Sequence, residues 1–293
     1  MDPLFLLFLA LAPGIFLLWF YYSRDRYEPE PLRLVFIVFI LGLLVTIPAG
    51  IIELILSMAI SDNEIFGAAV IAPVVEESLK CAVVFFTVYR TSEFDEPMDG
   101  LVYAAASALG FATLENVFYV MEQGFETGIL RALLAVPGHT LDSGFWGFAM
   151  GMTLVRQDQK VRLILGGLAC AMLMHGLYNF FASTMEMVGL VLVIGVTLAG
   201  WWFMIKRIKE CRVHGFRRLQ REAKAASFDL RPAPKFCSIC GSPIDGTNTF
   251  CTKCGTQFRT ERLHDDRPVP CPHCNGTVPL DAKFCRNCGK NLE

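Results

Sequence analysis

Charged side chains are scarce over the first two hundred residues of this chain. Asp, Glu, Lys and Arg make up 18% of its 293 residues, against about 25% in soluble domains, and residues 206–293 take more than their share. Cysteine is equally scarce there: 9 of the 11 lie beyond residue 206. With 54% hydrophobic residues and a mean hydropathy of +0.45, residues 3–206 are too apolar for a soluble domain. The two parts belong to different solvents, lipid and then water. No HExxH is present, so the commonest helical zinc-protease motif is missing. Residues 3–22 lack a basic n-region, and Arg24, Asp25 and Arg26 follow in place of a small-residue cleavage site. That makes a signal peptide a poor reading, and the expectation is a retained first span. The net charge of −2 says little about partners.

A helix needs about 20 mostly apolar residues to cross the hydrocarbon. Seven runs qualify: 3–22, 34–58, 67–89, 100–121, 129–154, 163–184 and 186–206, the last two joined by a short turn around Met185 and Glu186. The expected fold is an all-α polytopic membrane bundle over residues 1–206. A basic amphipathic segment and linker (207–235) and two cysteine-rich modules (236–258 and 270–293) follow. Arg24, Arg26, Arg33, Arg90, Arg156, Lys160 and Arg162 fall in alternate loops, while the others hold little beyond Arg131. The positive-inside bias predicts an outside N-terminus and a cytoplasmic C-terminus in a multi-pass cell-membrane protein. Over 206–224, Ile208, Cys211, Phe216 and Leu219 share a face opposite most of the basic residues, a pattern that suits either anionic lipid or a stop-transfer tail.

Inside the spans lie ionisable groups, each costly in lipid. Glu76 and Glu77 are adjacent at the middle of the third run. Glu115 and Asn116 lie on the fourth, His139 on the fifth, and His175 with Asn179 on the sixth. Placed at ~1.5 Å per residue, all fall between mid-bilayer and the outer leaflet. His175 and Asn179, four apart, share a face, as do His139 and Asp142, three apart. Pro73 and Pro137 precede Glu76 and His139 and can open a helix around a site. Two carboxylates and two imidazoles can activate water, with a Glu as general base and a His protonating the leaving group. The same groups can instead ligate a divalent metal. Ordinary structural roles compete with this. Glu76 could simply pair with Lys80, which leaves Glu77 unexplained. Glu115 and Asn116 could be interhelical glue, and the histidines satisfied bundle residues. Asp142 reads equally as a partner of His139 or a snorkelling acid, and Glu53 as interfacial.

Glu76-Glu77-Ser78-Leu79-Lys80 resembles the EExxK motif of PrsW-type membrane proteases. Residues 95–116 (DEPMDGLVYAAASALGFATLEN), 131–140 (RALLAVPGHT) and 175–180 (HGLYNF) resemble that family's further motifs, in its order, over roughly residues 3–206. The resemblance extends to the CAAX-processing and bacteriocin-processing proteases, whose pattern is a Glu pair, a His and then HxxxN. It implies cleavage of membrane-anchored proteins, such as an anti-sigma factor on its extracytoplasmic side. One glutamate of the pair would activate water, His139 and His175 would move protons or bind metal, and His175 with Asn179 would stabilise the oxyanion. Metal-dependent and glutamate-based mechanisms both stay open. The other function classes are a membrane scaffold or sensor, and an ion or proton transporter.

The tail departs from that family. Cys237, Cys240, Cys251 and Cys254 repeat 34 residues later as Cys271, Cys274, Cys285 and Cys288, a tandem of paired CxxC knuckles. Four thiolates in this spacing suit one structural Zn2+ per module, a double zinc ribbon. Gly241, Gly255 and Gly289 fall where the knuckles need a positive φ. A disulfide framework is the alternative, which a reducing cytoplasm opposes. The ribbons lack a dense basic stripe with interleaved aromatics, which argues against nucleic acid and for a cytoplasmic protein partner.

Overall fold

The computed structural model describes residues 3–61, 63–183, 187–229, 236–237, 239–243, 250–256 and 267–292. It divides into two compact units, Met1–Gly215 and Phe216–Glu293. The first is helical throughout, as lipid demands of a backbone with no water to bond. Its elements are α1 (Pro3–Tyr22), α2 (Leu32–Ile60), α3 (Glu64–Phe66), α4 (Ala72–Thr87), α5 (Pro97–Gln123), α6 (Phe125–Leu130), α7 (Val136–Met152), α8 (Lys160–Ser183) and the start of α9 (Met187–Asp229). The protein is a membrane helix bundle. Among the described residues, five helices are long and apolar enough to cross a bilayer unbroken.

The other two expected spans, 67–89 and 129–154, take the form of broken rods. In each, a short helix runs through a π turn, Gly67–Ile71 or Arg131–Ala135, into the next helix. The reason is proline. Pro73 and Pro137 are the second residues of α4 and α7 and have no N–H for the preceding turn. Just before them, Ala72 N–H bonds Gly67 O and Val136 N–H bonds Arg131 O, five residues back.

α5 is the central post. Its side chains from Pro97 to Thr113 are buried throughout, against α1, α2 and α7. The α5–α7 approach is close enough that a Cβ on Gly147 would lie 2.4 Å from Ala104 Cβ. That is the small-residue packing the glycine-rich sequence suggests. The helix of the final span continues past residue 206. Met204, Ile208 and Cys211 continue one buried stripe in the core, and no proline or cap interrupts α9 before Asp229. The expected turn around Met185 and Glu186 lies outside the described residues, as do 230–235 of the linker.

In the second unit, β1 (Pro268–Pro270) pairs antiparallel with β2 (Thr277–Pro279) in the register Val269↔Val278. Single bridges Phe236↔Pro243 and Phe284↔Asn291 close the knuckles. Gly241, Gly255 and Gly289 have φ of +67°, +72° and +71°, as the knuckle geometry requires.

Candidate active site

The broken rods bring the ionisable groups of four helices together. Glu77 is fully buried and held by four donors. Lys80 Nζ (2.9 Å) and His175 Nδ1 (3.1 Å) lie on Oε1, and Ser143 Oγ (2.6 Å) and Trp146 Nε1 (3.0 Å) donate to Oε2. Glu76 is freer. Its Oε2 accepts from Lys80 Nζ at 2.9 Å and lies 3.8 Å from His139 Nδ1 and 4.0 Å from His175 Nε2. The two imidazoles meet edge to face, centroids 5.2 Å apart. The Glu76–Lys80 pair therefore exists, but Lys80 also serves Glu77 and approaches His139 Nδ1 at 3.0 Å.

Each histidine is turned by a carboxylate. Glu115 Oε2 sits 2.8 Å from His139 Nε2 and 2.9 Å from Arg131 Nη2, while Glu77 holds His175 Nδ1. The atoms left facing inward are His139 Nδ1, His175 Nε2 and Glu76 Oε2. Glu76, His139 and His175 each offer a ligand atom within 4.8 Å of the others. One carboxylate and two imidazoles are a zinc donor set, and a carboxylate behind each imidazole is the usual support for a metal-ligating histidine. The residues therefore fit a divalent metal. Lys80 shares two of the three donors and would have to release them.

The two asparagines lie at the margin. Asn116 donates to Ala10 O at 3.1 Å and accepts from Arg131 Nε at 3.1 Å, which fixes Arg131 rather than reaching the glutamates. Asn179 Nδ2 donates to Ala68 O at 2.9 Å. Ala68 is the residue whose carbonyl would receive the N–H that Pro73 lacks if the π pattern continued. Asn179 thus satisfies the backbone that the proline opens, and ties α8 to the π turn. A Cβ on Gly176 would come within 2.4 Å of Ala69 O, so α8 can approach only with glycine there. An apolar groove of about 220 Å³ is lined by Ala69, Met172, Leu173, Gly176, Leu177 and Phe180, on a different face of α8 from His175.

Sequence reasoning missed Ser143, Trp146 and Arg131. The first two lie four and seven residues after His139, on its helix face, and that spacing was the available signal. Arg131 reads as an outer-loop charge but belongs to the second π turn. Asp142 and Glu53 both enter the electrostatic field of the cluster.

In the tail, the sulfur pairs Cys237–Cys254, Cys240–Cys251, Cys271–Cys288 and Cys274–Cys285 are 3.7, 3.6, 3.9 and 3.7 Å apart. Disulfide sulfurs are about 2 Å apart. Thiolates around zinc, each about 2.3 Å from the metal, stand about 3.8 Å from one another. The two four-cysteine groups are structural zinc sites.

Residues 30–205 match the family described as PrsW family intramembrane metalloprotease, and residues 229–289 match the double zinc ribbon. Protease PrsW of Geobacillus kaustophilus (strain HTA426) is 36% identical over 212 residues, covering 72% of this chain and 93% of that protein. Protease PrsW of Bacillus subtilis (strain 168) is 34% identical over 206 residues, covering 69% and 94%. That of Clostridioides difficile (strain 630) is 24% identical over 233 residues, covering 75% and 98%. No solved structure matches.

Proposed function

This chain belongs to the PrsW family of intramembrane metalloproteases, a membrane endopeptidase, and from that premise we propose that it cuts membrane-anchored proteins in the outer half of the bilayer at a centre made by Glu76, His139 and His175. The observation that carries the reading is the convergence of those three side chains, with one glutamate open to the centre and the other locked behind it.

Glu76 is the general base. Its carboxylate accepts a proton as water oxygen attacks the scissile carbonyl carbon, and the peptide C=O becomes a tetrahedral oxyanion. His175, oriented by Glu77, donates a hydrogen bond to that oxyanion. His139, oriented by Glu115, relays the proton that Glu76 has taken from water to the departing amine nitrogen as the C–N bond breaks, which returns Glu76 to the carboxylate. Lys80 pairs with both carboxylates and supplies the counter-charge that offsets their burial. A divalent cation held by Glu76, His139 and His175 would add Lewis-acid polarisation of the carbonyl and a more acidic water. Asn116, Arg131 and Asn179 position the site.

The basic residues between the spans support an outside N-terminus, a site in the outer leaflet and ribbons in the cytoplasm that engage a protein partner. The test is a purified chain in proteoliposomes with single-pass membrane proteins, with cut sites mapped by mass spectrometry. The expected result is cleavage near the outer membrane boundary, lost in His175→Ala. Equal cleavage by His175→Ala, or cuts confined to cytoplasmic segments, would overturn the proposal.

A further inference from the structure

Glu53 stands at the outer edge of the catalytic cluster, and the chemistry above makes no use of it. It lies on α2, about 10 Å from the outer end of that helix at ~1.5 Å per residue. There α2 packs against α4, the first π turn and α5. The Glu53 carboxylate is in the electrostatic field of Glu76, Glu115, Lys80 and His175. Its Oε1 is buried with no hydrogen-bond partner, and among the described residues Glu53 makes no ion pair. The cations beside the cluster are already engaged: Lys80 with Glu76 and Glu77, both at 2.9 Å, and Arg131 with Glu115 at 2.9 Å. Tyr119 shares this edge. It follows Glu115 by one turn of α5, on the same face, and meets the field of Glu115, Arg131, Glu76 and Glu53. Arg131 covers its ring, with Cζ 4.0 Å from the centroid. The Tyr119 hydroxyl makes no hydrogen bond among the described residues. Two adjoining helices thus present an unpartnered carboxylate and an unpartnered phenol toward the general base.

A buried carboxylate oxygen without a donor has lost its hydration and gained nothing in exchange. A substrate can bring what it lacks. A chain whose scissile bond lies at Glu76 carries the residues just outward of that bond past α2 and α5. Lys and Arg hold a cation on a long stem that lies along apolar surface and delivers the charge at its tip. Taking Glu76 as the cleavage centre, as proposed above, we propose that Glu53, with the Tyr119 hydroxyl, is the specificity subsite of the protease. It takes one basic side chain, Lys or Arg, on the outer side of the scissile bond. The cation pairs with the Glu53 carboxylate, and the phenol supplies a further polar contact. Basic residues concentrate on the cytoplasmic flank of membrane spans. A subsite that asks for one on the opposite flank therefore separates a few substrates from the bulk of membrane proteins.

The experiment uses the full-length chain and a single-pass substrate with Lys or Met placed in turn at each of the first few positions outward of the mapped cut. Methionine keeps the stem and removes the charge. In proteoliposomes, kcat/KM is read for wild type and Glu53→Gln. Binding without turnover is read as Kd on the Glu76→Gln chain, with and without Glu53→Gln. A ratio of two substrates on one chain does not depend on how much of that chain folds. At one position Lys should be favoured over Met by at least about tenfold in both kcat/KM and Kd, and Glu53→Gln should bring both ratios to within about twofold. Equal treatment of Lys and Met by wild type at every position overturns the subsite, and is the result if Glu53 merely carries a proton. A preference that survives Glu53→Gln overturns it too. Undiminished cleavage by His175→Ala would overturn the centre instead, and the Kd ratio would still decide the subsite.

Discussion

Replacing Lys80 with methionine isolates the largest electrostatic debt in the bundle. Lys80 Nζ lies 2.9 Å from both Glu76 and Glu77, and the three side chains are 0%, 7% and 0% exposed. Methionine keeps the aliphatic stem over Phe111, where the ammonium sits 4.2 Å from the ring centroid, but removes the charge. Glu77 retains Ser143, Trp146 and His175. Glu76 loses its one partner closer than 3 Å among the described residues, so the damage falls there. Breaking a buried pair from one side costs about 3–5 kcal/mol, a factor of roughly 10²–10³ or more in the folding equilibrium at 1.4 kcal/mol per decade. Equilibrium unfolding of the detergent-solubilised chain measures it. Adding Glu76→Gln to Lys80→Met should recover more than half of the loss, with a coupling of about 1.5 kcal/mol or more in the double-mutant cycle. The reasoning fails if Lys80→Met stays within about 1 kcal/mol of wild type, or if the two changes are additive.

Gly176→Ala puts a Cβ against Ala69 O and pushes α8, with His175 and Asn179, off the π turn. It should destabilise by about 1–3 kcal/mol and slow cleavage more than about tenfold, whereas Gly166→Ala, with nothing within 4 Å of its Cβ, should leave unfolding and turnover unchanged. Elemental analysis should find one zinc fewer per chain after Cys274→Ser, with the Cys237 module retained. Burial, the largest cause, holds the Asp25 carboxyl up to about 6 and that of Glu30 up to about 7, with Glu28 and Asp95 adding repulsion at Asp25 and Asp95 doing so at Glu30. Between the ordinary carboxylate range and those values the folded chain binds the extra protons, so stability falls as pH rises through 6–7. In buffer without divalent cations, Asp25→Asn should therefore raise the melting temperature at pH 8 and change it little at pH 5, as followed by thermal scans.

The polar slab was legible because lipid makes every charge conspicuous. Glu76, Glu77, Glu115, His139 and His175 stand out of apolar runs without any alignment, and the structure places them in one cluster. The cysteine modules were legible from their spacing alone. The rest required three dimensions. Lys80 lies 59 residues from His139, and nothing local says that its ammonium crosses to α7. Proline announced a disturbance before Glu76 and His139, but not that it would be a π turn, or that Asn179 would bond the carbonyl beneath it. The face of Ile208 and Cys211 was legible in the basic segment after residue 206, but not that it would continue the last span as one unbroken helix with a buried stripe through Met204, Ile208 and Cys211. Asp25 and Asp99 look like solvated loop and cap residues in sequence. Their burial arises from the packing of α1, α2, α5 and α9 around them.

The central claim is that Glu76 activates water at the Glu76–His139–His175 centre. Its most direct measurement is the initial rate of substrate cleavage by the Glu76→Gln chain in proteoliposomes, with unfolding followed in parallel. A general base contributes about 10²–10⁴-fold, so the rate should fall by at least about 10² while the protein stays folded. A folded Glu76→Gln chain that cleaves within about threefold of wild type would contradict the account.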